Sequence, residues 1–319
     1  DRLAPVQLSD VSYVDDGAFL ILDKDPKAIL NKVATATNII HFACLQRGFR
    51  PNYGPGKTAV LFDIRGPGSM AVKEHLYINL NSRIVFNHQH SLSITAVSQY
   101  VHLGRVVARD GDIKPEIASR SRAHSQALGP LKKAVFKNRA LEPEQKKIFA
   151  DALATTRLWY CAATWNRLSD SQIENLDRQA MKRFAPLSGI EWVNRETRSS
   201  TAQVMDKIRE PLAFLHVRIA RLHYLPRLMK FAPEPLLALL QATAHISSTY
   251  TAMLKEDLNW LHVHNERAAQ LCGHEQLLSF WPLFAAENIK QWRKAIAHAK
   301  QNAVRLQCDA LALAQWNKD

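Results

Sequence analysis

The sequence predicts an α+β protein whose strands lie in the first third of the chain and whose helices fill the rest. Two observations carry this. Up to about residue 110, short β-branched and aromatic runs alternate with turn residues. From Lys114 onward apolar residues recur at helical spacing, with Gly and Pro at the breaks.

Taken in order, the strand candidates are Val11-Ser12-Tyr13, Ala18 to Leu22, Ala59 to Phe62, Arg83 to Phe86 and Val101 to Val107. One helix lies between the second and third. Asp25 stands as its N-cap and Pro26 at its first position; Ile29, Val33, Ala36, Ile40 and Cys44 share a face, and Gly48 stops it. Ser169-Asp170-Ser171-Gln172 is a capping-box pattern, opening a helix with Ile173, Leu176, Ala180 and Phe184 on its apolar side and an end near Gly189. A loop-like stretch from Asn194 to Thr201 precedes further helices around Leu212 to Met229, Pro235 to Ala244, Thr249 to Leu261 and Glu275 to Trp316. No internal repeat or low-complexity tract interrupts the series.

At 319 residues the chain is long enough to bury a sizeable core without staples. Cys44, Cys161, Cys272 and Cys308 lie far apart with no C-x-x-C pair, as expected of buried thiols in a reducing, intracellular compartment. No apolar run reaches the roughly eighteen residues of a membrane span, and the first residues lack the order of a signal peptide. The absence of an initial Met and the immediate entry into a strand-like segment suggest a fragment. Lys and Arg exceed Asp and Glu by 13, an excess that attracts phosphate backbones without specifying sequence.

The constellation with chemistry in it is Tyr13-Val14-Asp15-Asp16. Two strand candidates flank it, so both carboxylates would be presented at the tip of a hairpin. Adjacent acids repel and raise each other's pKa unless a cation neutralises them, which points to a metal site. Asp-Asp-Gly is equally good turn chemistry, and taken alone the motif favours a plain turn.

The neighbours bear on that choice. After the helix come Gly48-Phe49-Arg50-Pro51-Asn52 and Lys57-Thr58, and later Tyr100-Val101-His102-Leu103-Gly104. Further on stand Leu158-Trp159-Tyr160-Cys161-Ala162-Ala163-Thr164-Trp165, Leu176-Asp177-Arg178-Gln179 and Met181-Lys182-Arg183-Phe184. In order and spacing this series resembles the reverse transcriptases of non-LTR (LINE-type) retrotransposons: the Tyr-x-Asp-Asp turn, the Gly-Leu-x-x-Asn…Lys-Thr element, the Tyr-x-Tyr-Leu-Gly primer element and the thumb. The resemblance covers about the first 190 residues. This chain has Val14 where the family usually has Ala, and His102 where it has an aromatic.

The resemblance implies a partial antiparallel palm over 1–110, a helical thumb over 111–190 and an all-α C-terminal region over 191–319. It implies metal-dependent nucleotidyl transfer by an RNA-directed DNA polymerase. Asp15 and Asp16 would be the catalytic carboxylates and the ligands of Mg²⁺ (or Mn²⁺). Tyr13 would back the primer terminus, Lys57 would lie near the nucleotide phosphates, and Tyr100, Leu103 and Gly104 would grip the primer. The partners implied are an RNA template, a DNA primer and a dNTP, with action in the nucleus; no membrane is expected, and the oligomeric state is left open. The family's other catalytic aspartate lies on an earlier palm strand, upstream of the first residue here, so the chain alone is expected to be inactive. Arg120, Arg122, Lys132, Lys133 and Lys137 on the first thumb helices are weaker candidates for the template–primer duplex.

Other signals lead less far. Gly54-Pro55-Gly56-Lys57-Thr58 fails as a P-loop, because Pro51 stands where a glycine is needed and a strand, not a helix, follows Thr58. His262-Val263-His264 with Cys272-Gly273-His274 matches no zinc spacing and reads as partly buried or surface histidines. Arg209, Arg218, Arg221, Arg227 and Lys230, interleaved with Phe214, His223, Tyr224 and Phe231, fit a nucleic-acid groove or a solvated helix face equally well. Trp260, Trp281, Trp292 and Trp316 read as core or helix-packing residues. A ribonuclease H domain is disfavoured, because residues 190–319 read as helices throughout. Two rival readings stand: a non-catalytic nucleic-acid-binding remnant, and a helical protein-interaction module.

Overall fold

Strand alternation and turn chemistry near the start give an antiparallel pair, β1 (Asp10–Tyr13) and β2 (Asp16–Phe19), in the register Asp10↔Phe19, Val11↔Ala18, Ser12↔Gly17 and Tyr13↔Asp16. The computed structural model describes residues 10–13, 16–188, 201–247, 249–265 and 277–316. These fall into two units, 1–116 and 117–319. The α+β class expected from the sequence is observed.

In the first unit, helix α1 (Ile29–Gln46) starts three residues later than Pro26 predicts. Asp25 Oδ1 does accept the Lys27 N–H at 2.9 Å, and Ala28 N–H reaches the Asp25 carbonyl at 3.1 Å. The cap therefore closes a turn that leads into the helix. At the other end Gly48, at φ 79°, donates to the Leu45 carbonyl while Phe49 donates to that of Cys44. This is the Schellman arrangement, and its left-handed position suits glycine. Val33 and Thr37 are buried, while Ile29, Ala36, Ile40 and Cys44 are half-buried beside them.

The central sheet of this unit is mixed. Strand β3 (Ala59–Leu61) leads into α2 (Ser69–Glu74), which widens into a π-turn at His75–Asn79. Strands β4 (Arg83–Asn87) and β5 (Leu92–Val97) follow as a hairpin, and the order is β3-β5-β4. β4 and β5 pair antiparallel, but β3 pairs parallel to β5, Ala59↔Thr95 to Leu61↔Val97. The antiparallel palm that the resemblance implies is corrected at β3. After α2 the chain returns along β4 opposite to β3, and the β4–β5 hairpin reverses it once more, so β5 runs with β3. Val33, Phe62, Leu76, Ile84, Phe86 and Ile94 form the core on which this sheet and α1 pack.

The run Val101 to Val107, read as one strand, is a second hairpin: β6 (Gln99–His102) and β7 (Arg105–Ala108). Leu103 and Gly104 turn the corner at φ 48° and 76°. Two consecutive positive φ values between directly paired residues define a type I′ turn, whose twist matches that of the flanking strands.

In the second unit, α3 (Lys114–Leu131) passes Pro130 and opens into a π-turn at Lys132–Phe136. Its first turn carries the buried Glu116, which accepts the Val106 N–H at 2.7 Å within the first unit. Helix α4 (Pro143–Ala150) is closed by a Glu142/Gln145 capping box. A π-turn at Asp151–Thr155 and the single turn α5 (Thr156–Leu158) follow. Helix α6 (Asp170–Leu187) shows the predicted Ser169/Gln172 box, with Ser169 N–H on Gln172 Oε1 at 2.8 Å. Leu176, Ala180 and Phe184 are buried along it.

Helices continue with α7 (Thr201–Ile208), α8 (Ala213–Phe231), α9 (Glu234–Ala242), α10 (Tyr250–Val263), α11 (Leu277–Glu287) and α12 (Ile289–Trp316). The stretch expected as one helix to Trp316 breaks at Asn288, which separates α11 from α12. Ala180, Met181 and Phe184 of α6 bury against Val204 and Met205 of α7, with Leu311 of α12 beside them, so one core spans residue 190. A larger core gathers Leu222 and Leu225 of α8, Leu258 and Leu261 of α10, Trp281 of α11, and Trp292 and Ile296 of α12. Trp260 also joins it, but Trp316 is 81% exposed, which corrects its placement in the core. No helix among the described residues is long and apolar enough to cross a membrane.

Candidate functional site

Tyr13 and Asp16 are paired across β1 and β2, the last partners of that ladder. The two residues between them, Val14 and Asp15, lie outside the described residues. Tyr13 and Asp16, the described ends of the Tyr-x-Asp-Asp run, thus close the β1–β2 ladder. The donor chemistry of Asp15 and Asp16 fits a hard divalent cation, which prefers carboxylate oxygens. Among the described residues no group of three or more His, Cys, Asp or Glu side chains is gathered as a metal site.

The other predicted positions divide between elements. Lys57 is exposed on the loop entering β3, where Thr58 N–H donates to the Asn52 carbonyl at 2.9 Å. Tyr100 is half-buried on β6, a strand that touches β3, while Leu103 and Gly104 form the tip of the β6–β7 hairpin. The lysine element and the primer element thus belong to adjoining strands. Tyr13 and Asp16 belong to a separate two-stranded sheet.

In the second unit Arg122, Lys132, Lys133 and Lys137 are all exposed along α3 and the π-turn that follows it. The turn stays docked because Leu128, Leu131 and Val135 are buried against Ala154 on its inner side. Arg120 differs from these. It is half-buried, with its guanidinium 4.5 Å from the centre of the Tyr160 ring. That contact is cation–π in geometry and holds the side chain to the helix surface.

Two further basic stretches are rearranged by folding. In the Met181-Lys182-Arg183-Phe184 run, Lys182 is exposed, but Arg183 is buried and bonds to Asp151 and, at 2.6 Å, to Thr155 Oγ1. On α8, Arg218 Nε reaches Asp257 Oδ1 at 2.9 Å, and Arg221 takes both carboxylate oxygens at 2.5 and 3.2 Å. These two arginines are therefore committed inside the helical unit; Arg227 and Lys230 are left exposed. Among the histidines weighed as zinc ligands, His262 is buried and His264 stacks on Trp260 with Nδ1 3.0 Å from its carbonyl. Cys272 and His274 lie outside the described residues.

Sequence reasoning missed the association of His124, Arg183, His216 and Lys300 around one cavity. No motif links these positions. The available signal was only the phase of Arg183 on α6, one residue before the buried Phe184 and three after Ala180.

No family model, curated protein or solved structure matches the chain.

Proposed function

We propose that this chain is part of an RNA-directed DNA polymerase of the non-LTR retrotransposon kind, acting by metal-dependent nucleotidyl transfer. The observation that carries the reading is the register of β1 and β2. It sets Tyr13 opposite Asp16 at the end of an antiparallel pair, with Val14 and Asp15 between them. Adjacent carboxylates at the end of a strand pair would offer oxygen ligands to a shared hard cation.

Asp15 and Asp16 would hold Mg²⁺ or Mn²⁺. When bound, such an ion activates a primer hydroxyl and neutralises charge developing on the transferred phosphate. Tyr13 would support the primer end, and Lys57, exposed at the entry to β3, would pair with nucleotide phosphates. Tyr100, Leu103 and Gly104 would hold the primer strand through the β6–β7 hairpin. The exposed Arg122, Lys132, Lys133 and Lys137, with Arg120 beside them, would follow the template–primer backbone.

The test is primer extension on an RNA template with Mg²⁺, by the polymerase that contains this chain and by the same protein with Asp15→Asn and Asp16→Asn. Extension that both substitutions abolish supports the reading. A second reading, a nucleic-acid-binding protein without chemistry, is favoured by the exposed lysines of the π-turn after α3. Tight duplex binding with no extension by the unsubstituted polymerase would establish that one instead.

A further inference from the structure

The helical unit contains a part-open cavity of about 220 Å³. Its wall sets charged groups and histidines among apolar side chains. Arg183 and His124 reach it from α6 and α3, Asp151 from the π-turn after α4, Lys300 from α12, His216 from α8, and Glu210 from the segment before α8.

The charged cluster around this cavity extends beyond its wall. Asp151 bonds to Arg183, and Glu210 is shared by Lys300, at 3.2 Å, and Lys147. On the wall itself Arg183 and Lys300 meet Asp151 and Glu210; Lys147, which bonds to Glu210 from outside the wall, brings the cluster to three cations on two carboxylates. The histidines do not restore the balance by accepting protons. Burial pushes His124 down to about 4, with Arg183 and Lys182 adding to the effect, and burial with Lys300 and Arg183 pushes His216 down to about 4. Both stay neutral near pH 7, under a positive local field.

A second observation concerns His124 itself. It is 1% exposed, and its Nδ1 has no hydrogen-bond partner. A buried polar atom left unpaired costs about 1–3 kcal/mol, so such a group in a cavity wall points to a missing partner. Thr155 Oγ1, which accepts from Arg183 at 2.6 Å and donates to Asp151 Oδ1 at 3.1 Å, fixes that arginine in the wall. The Trp159 and His216 rings, stacked at 4.2 Å, close one side.

We infer that this cavity binds a phosphate group, held by Arg183 and Lys300 with His124 Nδ1 as a further hydrogen-bonding partner. A tetrahedral oxyanion brings several acceptors, and its negative charge suits a cluster in which three cations, Lys147 outside the wall included, meet two carboxylates. The group is either a free phosphate ion or the 5′-phosphate of a nucleotide whose base meets the Trp159 side. This site is independent of the polymerase reading, because none of its residues belongs to the Tyr-x-Asp-Asp hairpin.

Calorimetric titration of the full chain with inorganic phosphate and with adenosine 5′-monophosphate, at constant ionic strength near neutral pH, tests it. Lys300→Gln and His124→Phe are the variants; Glu210 keeps Lys147 in the first, and the second preserves ring volume without the nitrogen. Saturable binding, weakened at least about tenfold by each substitution and restored by Lys300→Arg, supports the site. Equal affinity for the two ligands assigns a free ion, and tighter monophosphate binding assigns a nucleotide. Should His124→Phe not fold, ¹⁵N-imidazole spectra of the unsubstituted chain take its place, with His124 Nδ1 expected to shift on phosphate addition. Absent binding by a chain that circular dichroism shows folded overturns the proposal. So does binding that both variants retain in full, or binding that leaves His124 Nδ1 unmoved.

Discussion

Arg221 holds Asp257 through two hydrogen bonds, at 2.5 and 3.2 Å, in a part of the helical unit where both side chains are under 10% exposed. Arg218 completes the cluster from the next turn of the same helix, α8. Taking charges out of water is costly, so such a cluster is strongly destabilised when one partner is removed and the other stays buried. Asp257→Ala strands two arginines and is expected to cost about 3–5 kcal/mol in urea or guanidinium unfolding. Arg227→Ala, on the exposed side of α8, is expected to stay within about 0.5 kcal/mol of the unsubstituted protein. Equal losses for the two would contradict the buried cluster.

The buried histidines set an acid limit on stability. His124 is held at about 4 in the folded chain against an ordinary 6.5, so on acidification the unfolded chain takes up the proton first. Stability therefore rises with pH between about 4 and 6.5 and is fully present above the unfolded value. His124 contributes at most about 3 kcal/mol to that slope. Denaturant midpoints measured across this window should fall as pH falls, and His124→Phe should flatten the profile. An unchanged slope in that variant would remove His124 from the account.

For the proposed polymerase, Asp15→Asn and Asp16→Asn remove groups assigned as metal ligands. Loss of mere outer-shell support around metals costs roughly 10–100-fold, so loss of a ligand should cost more than about 100-fold in primer extension. Asp15→Asn is expected to be the more severe of the two. Duplex affinity should change little in either, which separates a chemical defect from a binding one.

Leu103 stands at φ 48°, where a side chain costs about 1–2 kcal/mol per residue relative to the right-handed region. Leu103→Gly should therefore leave unit stability unchanged or raise it by up to about 1 kcal/mol, allowing for the greater freedom of glycine in the unfolded chain. If the hairpin tip holds the primer, the same substitution weakens duplex binding. A gain in thermal midpoint with a loss of affinity, read by melting and by fluorescence anisotropy, is the expected pair of results.

Lys132, Lys133 and Lys137 are exposed on one short turn. Each lysine that neutralises a phosphate contributes about 0.9 to the slope of log affinity against log salt. Replacing all three with Ala should lower that slope by about 2–3 on a template–primer duplex. A slope that does not move would place the duplex elsewhere on the protein.

Features written in neighbouring residues were legible before the structure. Ser169 and Gln172 form their box because three residues separate a helix cap from the N–H it needs, and Gly48 ends α1 because a left-handed position suits glycine. Strand β5 was missed although Leu92, Ile94 and Ala96 alternate inward, because its apolar residues are interrupted by serine and threonine. The hairpin tip at Leu103-Gly104 was missed because Leu is an unusual residue for a type I′ turn.

Of the candidate site, the sequence offered the positions of Tyr13 and Asp16, and the register of β1 and β2 places them opposite one another. The basic residues were less legible. A charged residue in a helical pattern reads as solvent-facing, yet Arg183 finds Asp151 from 32 positions away, and Arg221 finds Asp257 from 36. Composition and local spacing carry no record of such partners.

By itself, then, the sequence determined the α+β class, the order of most helices and strands, and the hairpin that carries Asp16. These depend on periodicity and capping, which act over a few residues. Only the tertiary structure decided the parallel pairing of β3 with β5, which arginines turn inward, and the meeting of His124, Arg183 and Lys300 around one cavity. Those outcomes depend on which distant surfaces bury one another, because a charge enters the interior only where packing brings it a partner.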